Sequence, residues 1–271
     1  MASSVRVSGV KRYLQLALLT LAGGAIYPLV YLRHNFEVSI LETFGITLTQ
    51  LGQCYGLLGF MFVVTYIPGG WLADRISPRW LISFSLALSG KIGAWVSTIP
   101  GIQELRIIFF GWGIATGLTF WASMIKGVAI IARPREQGRF FGLLDGGRGL
   151  VEAVLASVAV AWFSYSLITL SEPTEIALQK VIYLYAGVAL LISPLIVWIL
   201  DDLGFQEEES VEVVRTITTL QSLKIILMSK EVWLSAICIW SGYQLFWATY
   251  SFSGYLQTQY GMTAVSYTHL T

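Results

Sequence analysis

Metal- and redox-active residues are scarce in this 271-residue chain: there are two cysteines and two histidines, none close to another. Cys54 and Cys238 each sit in an apolar run without ligand spacing, and His34 and His269 lie far apart. That excludes a Cys/His metal centre and reads the cysteines as small buried hydrophobes. Charge is equally thin. Asp, Glu, Lys and Arg make up 12% of the sequence and the formal net charge is +1, so there is no basic field to hold nucleic acid. A phosphate-cradling loop is missing too, since "SLALSGK" (85–91) lacks the first glycine of a P-loop and lies inside an apolar run. No enzyme motif is present, and no cofactor is implied.

Apolar residues are what the chain has in excess. They make up 55% of the sequence, and the mean hydropathy is +0.68. A soluble domain of this size needs a more polar surface. Runs long enough to cross a bilayer, roughly 20 residues each, fall near 13–40, 48–69, 80–99, 105–130, 141–163, 181–200 and 231–256. Their apolarity is continuous, without strand-like alternation, which argues for helices rather than a barrel. The first run, "VKRYLQLALLTLAGGA" (10–25), imitates a signal peptide, yet it continues through "IYPLVYL" without a polar break. It reads as an uncleaved first helix.

Basic residues set the orientation. With the N-terminus inside, the inner segments hold Arg6, Lys11, Arg12, Arg75, Arg79, Arg133, Arg135, Arg139, Arg215, Lys224 and Lys230, against Arg106 and Lys180 outside. Arg33, Lys91, Lys126 and Arg148 fall within or at the ends of spans. This asymmetry predicts a cytoplasmic N-terminus and an integral protein of the cell (inner) membrane. Three regions follow: residues 1–200 as a six-helix bundle, 201–230 as a cytoplasmic linker, and 231–271 as a seventh helix with a tail. The acidic "EEES" (207–210) reads as solvated loop, with phosphorylation or partner binding as the alternative.

A repeat at an offset of 216 pairs Tyr27/Tyr243, Leu29/Leu245, Phe36/Phe252, Gly45/Gly261 and Thr47/Thr263. Span seven thus restarts the pattern of span one, as expected if a second half begins there.

Between spans two and three, "GWLADRISPR" (70–79) packs an Asp and two Args into a short turn. A positive-inside anchor accounts for Arg75 and Arg79 but not for Asp74. The stretch resembles the loop signature of the major facilitator superfamily, with Gly70, Asp74, Arg75 and Arg79 in the matching places and Ser77 where the family usually has Gly. The resemblance implies an all-α membrane fold: two three-helix inverted repeats forming an N-terminal six-helix bundle, then linker and seventh helix. It also implies that the Asp and Arg lock the cytoplasmic faces of two bundles together. A missing C-terminal bundle would then be the principal partner, with the lipid bilayer around both. The tail "AVSYTHLT" does not look like the start of an eighth span, and a truncated reading frame is expected near Thr263.

"YLRHNF" (31–36) is similar to the Tyr-Leu-x-Arg-x-Asn-Phe run of organophosphate:phosphate antiporters and related organic-anion permeases. This implies that Arg33 contacts an anionic substrate, a sugar phosphate or sugar acid, through a fork suited to carboxylate or phosphate. An interfacial Arg33 is the alternative, because a straight helix from Tyr13 ends at Leu32. The antiporters' second Arg, in span seven, is absent, which makes a carboxylate at least as plausible as a phosphate.

Asp145, Arg148 and Glu152 recur at i, i+3 and i+7 and so share one face of span five. Charges at bilayer depth cost roughly 2.5–3.5 kcal/mol each, so pairing is expected. Glu152, deeper in the span, is the proton-coupling candidate; a structural ion network is the competing account. Lys91 stands mid-span, too deep to snorkel, and is assigned to that ion network, whereas Lys126 lies near an inner end and snorkels. Glycines at 52, 56, 59, 111, 113, 117, 142, 146 and 149 read as helix-packing positions. Aromatics Tyr27, Tyr31, Phe120, Trp121, Tyr243 and Trp247 lie in spans that line the transport path in the family. Of these, Tyr27, Tyr31, Trp121 and Tyr243 are the candidate pocket residues.

The function expected from the resemblance is secondary transport of a small organic anion by alternating access. A proton or counter-transported phosphate would be the coupling ion. A transporter-like sensor of a sugar phosphate, signalling without flux, is the first rival, and a ligand-free membrane scaffold the second.

Overall fold

The computed structural model describes residues 9–201, 225–249 and 252–261. No strand occurs among them. The chain divides into two compact units, Met1–Gly204 and Phe205–Thr271. Most of the expected linker (202–224) and the tail (262–271) lie outside the described residues, as do Arg6 and the side chain of Trp247.

Six rods build the first unit. Helices α1 (Gly9–Val30) and α2 (Arg33–Phe44) form one broken rod, followed by α3 (Leu48–Ala73) and α4 (Pro78–Val96). The fourth rod combines α5 (Ile102–Gly113), a π-helical turn (Ile114–Leu118) and α6 (Trp121–Ile131); α7 (Gln137–Ile168) and α8 (Thr174–Ile199) complete the set. The second unit contains α9 (Lys230–Thr249) and α10 (Phe252–Tyr260). Among the described residues, five rods are long and apolar enough to cross a membrane: Gly9–Phe44, Leu48–Ala73, Ile102–Ile131, Gln137–Ile168 and Thr174–Ile199. Seven were expected. The two others are α4, a 19-residue helix diluted by Arg79, Lys91 and three serines, and α9, whose apolar residues are diluted by tryptophans, serines, Tyr243 and Gln244.

Local chemistry sets the ends of these helices. Thr47 and Gln50 exchange side-chain and backbone hydrogen bonds in a capping box that starts α3. Gly45 takes the left-handed conformation (φ 60°) that closes α2. Pro78 opens α4, where a missing N–H costs nothing. Rod one breaks at Tyr31–Leu32, just past Pro28, and Phe36 is again non-helical (φ −128°). Rod four is interrupted by its π turn. There the Ala115 carbonyl accepts hydrogen bonds from both the Ser85 and the Thr119 hydroxyls, so the altered backbone is not left unsatisfied.

Packing follows a simple rule. Rod one lies along rods five and six, rod two along rod four, rod three along rods six and four, and rod five also along rod six. Apart from the contact of rods five and six, exchanging one with four, two with five and three with six maps this set onto itself. Equivalent rods run in opposite directions, so the two three-helix halves are inverted repeats. Rod one is the most enclosed, whereas α3 and α7 each keep a broad exposed face. Two apolar clusters fill the interior. One, around Leu19, Phe120, Met124 and Phe140, lies toward the Asp74 end; the other, around Phe36, Leu58, Phe109 and Tyr185, lies toward the opposite end.

Rod one passes close to α7 because it has glycine at two successive positions. A Cβ on Gly24 would lie 2.5 Å from Val151 Cβ and 2.8 Å from the Arg148 carbonyl. Gly69 similarly faces the carbonyls of Gly117 and Leu118, at 2.9 and 2.8 Å. The expected packing glycines divide. Gly111, Gly113 and Gly117 meet neighbours, but Cβ atoms at Gly52, Gly56, Gly59, Gly142, Gly146 and Gly149 would meet nothing within 4 Å among the described residues.

The start of α1 ties the Asp74 end together. Arg12, only 7% exposed, donates through Nε to the Ile131 carbonyl at 2.7 Å and through Nη2 to Glu136 at 2.7 Å. Gln15 donates to the Ile199 carbonyl, and Lys11 pairs with Asp201 at 2.7 Å. Side chains of α1 thereby satisfy and neutralise the C-terminal ends of α6 and α8.

Gly24→Ala should destabilise the detergent-solubilised protein by about 1–3 kcal/mol, read as a lower thermal midpoint. Gly187→Ala, where a Cβ meets nothing within 4 Å among the described residues, should leave that midpoint unchanged or slightly raised. A second expectation concerns pH. The Arg12 hydrogen bond holds Glu136 below the usual carboxylate range. The stability from this pair is complete above the unfolded value of about pH 4.3 and is lost as pH falls through the lowered folded value. Between about pH 6 and pH 3 the midpoint of the wild type should therefore fall more steeply than that of Glu136→Gln.

Candidate functional site

Arg148 lies on α7 beside the glycine pair of α1. A Cβ on Gly23 would lie 2.8 Å from Arg148 Cδ, so the side chain occupies space that only glycine leaves open. Its guanidinium stands 4.9 Å from the Trp121 ring centroid and 5.8 Å from that of Tyr27. The expected acid partner is present but distant: Nη1 is 3.5 Å from Asp145 Oδ1, and Asp145 is 71% exposed. Charge-assisted contacts are normally about 2.7–2.9 Å. Nε is buried with no hydrogen-bond partner among the described residues. The cation is thus held chiefly by two aromatic faces, each worth roughly 0.5–2 kcal/mol, with half its donor fork uncommitted.

From Tyr27 a ladder of rings runs along the interior. Tyr27 stacks on Tyr31 at 5.9 Å, and Tyr31 on Tyr55 of α3 at 5.9 Å. Phe120 meets Tyr27 edge-on. The Tyr55 hydroxyl donates to the Val30 carbonyl at 3.0 Å, beside the break in rod one. Arg33 stands over the Tyr55 ring, at 5.2 Å. Its Nη2 is 2.9 Å from Glu37 Oε2, one turn along α2, and its Nε is again buried without a hydrogen-bond partner among the described residues. Rod one runs on to Phe44, so Arg33 lies inside the rod rather than at its end.

Two expected residues, Lys91 and Tyr243, fall elsewhere, while Glu152 stays beside Arg148. Glu152 is half-buried one turn beyond Arg148 on the same face of α7, and it makes no ion pair among the described residues. Lys91 is exposed on α4, whose main neighbours are α8, α6 and α5, and it pairs with no acid among the described residues. Tyr243 is exposed on α9, in the second unit.

At the turn between α3 and α4, Asp74 Oδ1 pairs with Lys126 Nζ of α6 at 3.2 Å. Lys126, expected to snorkel, is instead the acid's partner. Arg75 lies 4.0 Å from the Trp71 ring and donates to the Trp71 carbonyl, while Arg79 stands over Trp80. Gly69, not Gly70, makes the close backbone approach. At the opposite end, Lys180 donates to both oxygens of Glu172 and holds that carboxyl below its usual range.

Sequence reasoning missed Tyr55 and Arg12. Tyr55 sits among glycines and leucines with no pattern to mark it, whereas Arg12 looked like an ordinary inner anchor.

A profile described as the Major Facilitator Superfamily matches residues 13–270. Inner membrane protein YihN of Escherichia coli K12 is 28% identical over 92% of this chain and 58% of its own length. Inner membrane protein YqcE of the same organism is 24% identical over 96% of the chain and 60% of its length. The chain therefore spans about three fifths of these curated relatives. With six rods in its first unit and a profile match over almost the entire length, the chain belongs to the Major Facilitator Superfamily.

Proposed function

We propose that the full-length protein is a secondary transporter that carries a small organic anion, a sugar phosphate or a sugar acid, by alternating access. The observation behind this reading is Arg148: an always-charged fork in the interior, resting on Tyr27 and Trp121, with one loose acid partner and an unpartnered Nε. A ligand carboxylate or phosphate takes the terminal nitrogens that Asp145 holds only at 3.5 Å, and the rings supply apolar faces for the rest of a sugar. Arg33, at the far end of the ladder, offers a second cation to the same class of ligand.

Glu152, one turn from Arg148, is the assigned proton carrier, with a counter-transported phosphate as the other form of coupling. Asp74, with Arg75, Arg79 and Gly70, forms the gate. Breaking the exposed 3.2 Å Asp74–Lys126 pair would release α6 from the α3–α4 turn. The eleven-to-two excess of basic residues supports a cytoplasmic N-terminus, and the relatives' names support the inner membrane.

Uptake of radiolabelled sugar acids and sugar phosphates into proteoliposomes tests the proposal. Arg148→Gln should lower uptake at least about tenfold, and Glu152→Gln should retain exchange while losing its response to a pH gradient. Undiminished uptake by Arg148→Gln would sink the reading. Binding by the wild type without any flux would favour a sensor instead.

A further inference from the structure

Both interior arginines share one unusual condition. Each guanidinium has one ion-paired acid from its own helix near a terminal nitrogen, Asp145 for Arg148 and Glu37 for Arg33, and Arg148 has Glu152 one turn further along the same face. Each has a buried Nε with no hydrogen-bond partner among the described residues. Each also rests on a ring of the same ladder, and the stacked tyrosines 27, 31 and 55 separate the two cations. Two half-occupied forks at the two ends of one aromatic surface are more than a single bound anion requires.

Their surroundings differ in a telling way. At Arg148 the acid is 3.5 Å away and 71% exposed, so an incoming carboxylate or phosphate need not displace a buried group. At Arg33 the acid is closer, 2.9 Å, and its side chain is only 9% exposed. Glu37 acts there as a tethered stand-in for an anionic ligand, which lowers the affinity of that fork without closing it. A weak station toward the end opposite the Asp74 turn and a stronger one deeper in the bundle are the pattern expected of stepwise entry, because a site that holds its ion too firmly cannot hand it on. The rings between them give an anion-bearing sugar a continuous apolar face along which to move.

We infer that Arg33, with Tyr55 and Glu37, forms a separate outer anion station that loads the Arg148 station across the tyrosine ladder. This inference rests on the anion-transport reading and refines it. Arg33 becomes a transient positioning residue, and the ligand class is an anion small enough to contact one fork at a time.

Stopped-flow tryptophan fluorescence and calorimetry on the full-length protein in detergent at low salt, with gluconate and glucose 6-phosphate as probes, separate the possibilities. Arg148→Gln should lose equilibrium binding of the probe that the wild type takes. Arg33→Gln should slow association and dissociation together, each by about tenfold, with the dissociation constant shifted far less than in Arg148→Gln. Glu37→Gln, which frees the outer fork, should add a second, weaker equivalent of bound anion. The double variant Arg33→Gln/Glu37→Gln should lose that equivalent. Equal loss of equilibrium binding in Arg33→Gln and Arg148→Gln, or an unchanged stoichiometry in Glu37→Gln, would overturn the two-station arrangement while leaving anion binding intact. A wild type that binds neither probe would overturn the functional reading and this inference with it.

Discussion

The crossing of α1 over α7 at Gly23 and Gly24 is the contact on which the interior depends. Without two small residues there, the helices could not approach closely enough for Arg148 to lie against Tyr27. An arginine placed at this depth in a bilayer costs roughly 2.5–3.5 kcal/mol on insertion scales. Two aromatic faces and one loose carboxylate offset part of that cost. The glycine pair thus sets both the packing and the electrostatics of the site, and a side chain at either position would disturb the two together.

The two broken rods obey the same economy of backbone groups. Rods one and four are equivalent in the inverted repeat, and both lose regular α-geometry partway along. The first does so at Tyr31–Leu32 and Phe36, the second at Ile114–Leu118. In hydrocarbon such breaks survive only where protein replaces the missing hydrogen bonds. The Tyr55 hydroxyl serves the Val30 carbonyl, and the Ser85 and Thr119 hydroxyls serve that of Ala115. The breaks lie where the ladder runs: Tyr31 and Arg33 flank the first, and Phe120 and Trp121 follow the second directly.

Much of this architecture was legible in the chain. Long apolar runs gave the rods, and the GWLADRISPR turn gave the family. The i, i+3 spacing put Asp145 beside Arg148, where it is found. Partners between rods were not legible. A helix that is apolar on every side carries no amphipathic signal to say which face meets its neighbour. Lys91 was therefore given a partner it does not have among the described residues, and Lys126 was denied the Asp74 it meets. The glycines make the same point. Those spaced at 52, 56 and 59 look like a packing stripe but meet nothing within 4 Å among the described residues, while Gly23, Gly24, Gly69, Gly113 and Gly117 are in tight contact. Spacing tells which residues share a face; only the fold tells what that face touches.

The ion pairs are graded, and the grading separates a few firm anchors from contacts that can be exchanged. Lys11–Asp201, Arg12–Glu136 and Lys180–Glu172 are short, at 2.6–2.7 Å, and all lie where helices terminate. There, exposed carbonyls and net dipoles reward a fixed countercharge. Asp74–Lys126 at 3.2 Å and Arg148–Asp145 at 3.5 Å are longer, and each leaves its carboxylate mostly exposed. A pair in that state holds little that a competing charge or a solvating water could not replace. Loose contacts at the α3–α4 turn and beside the aromatic ladder are therefore what a molecule needs if binding in its interior is to be exchanged for rearrangement at its rim.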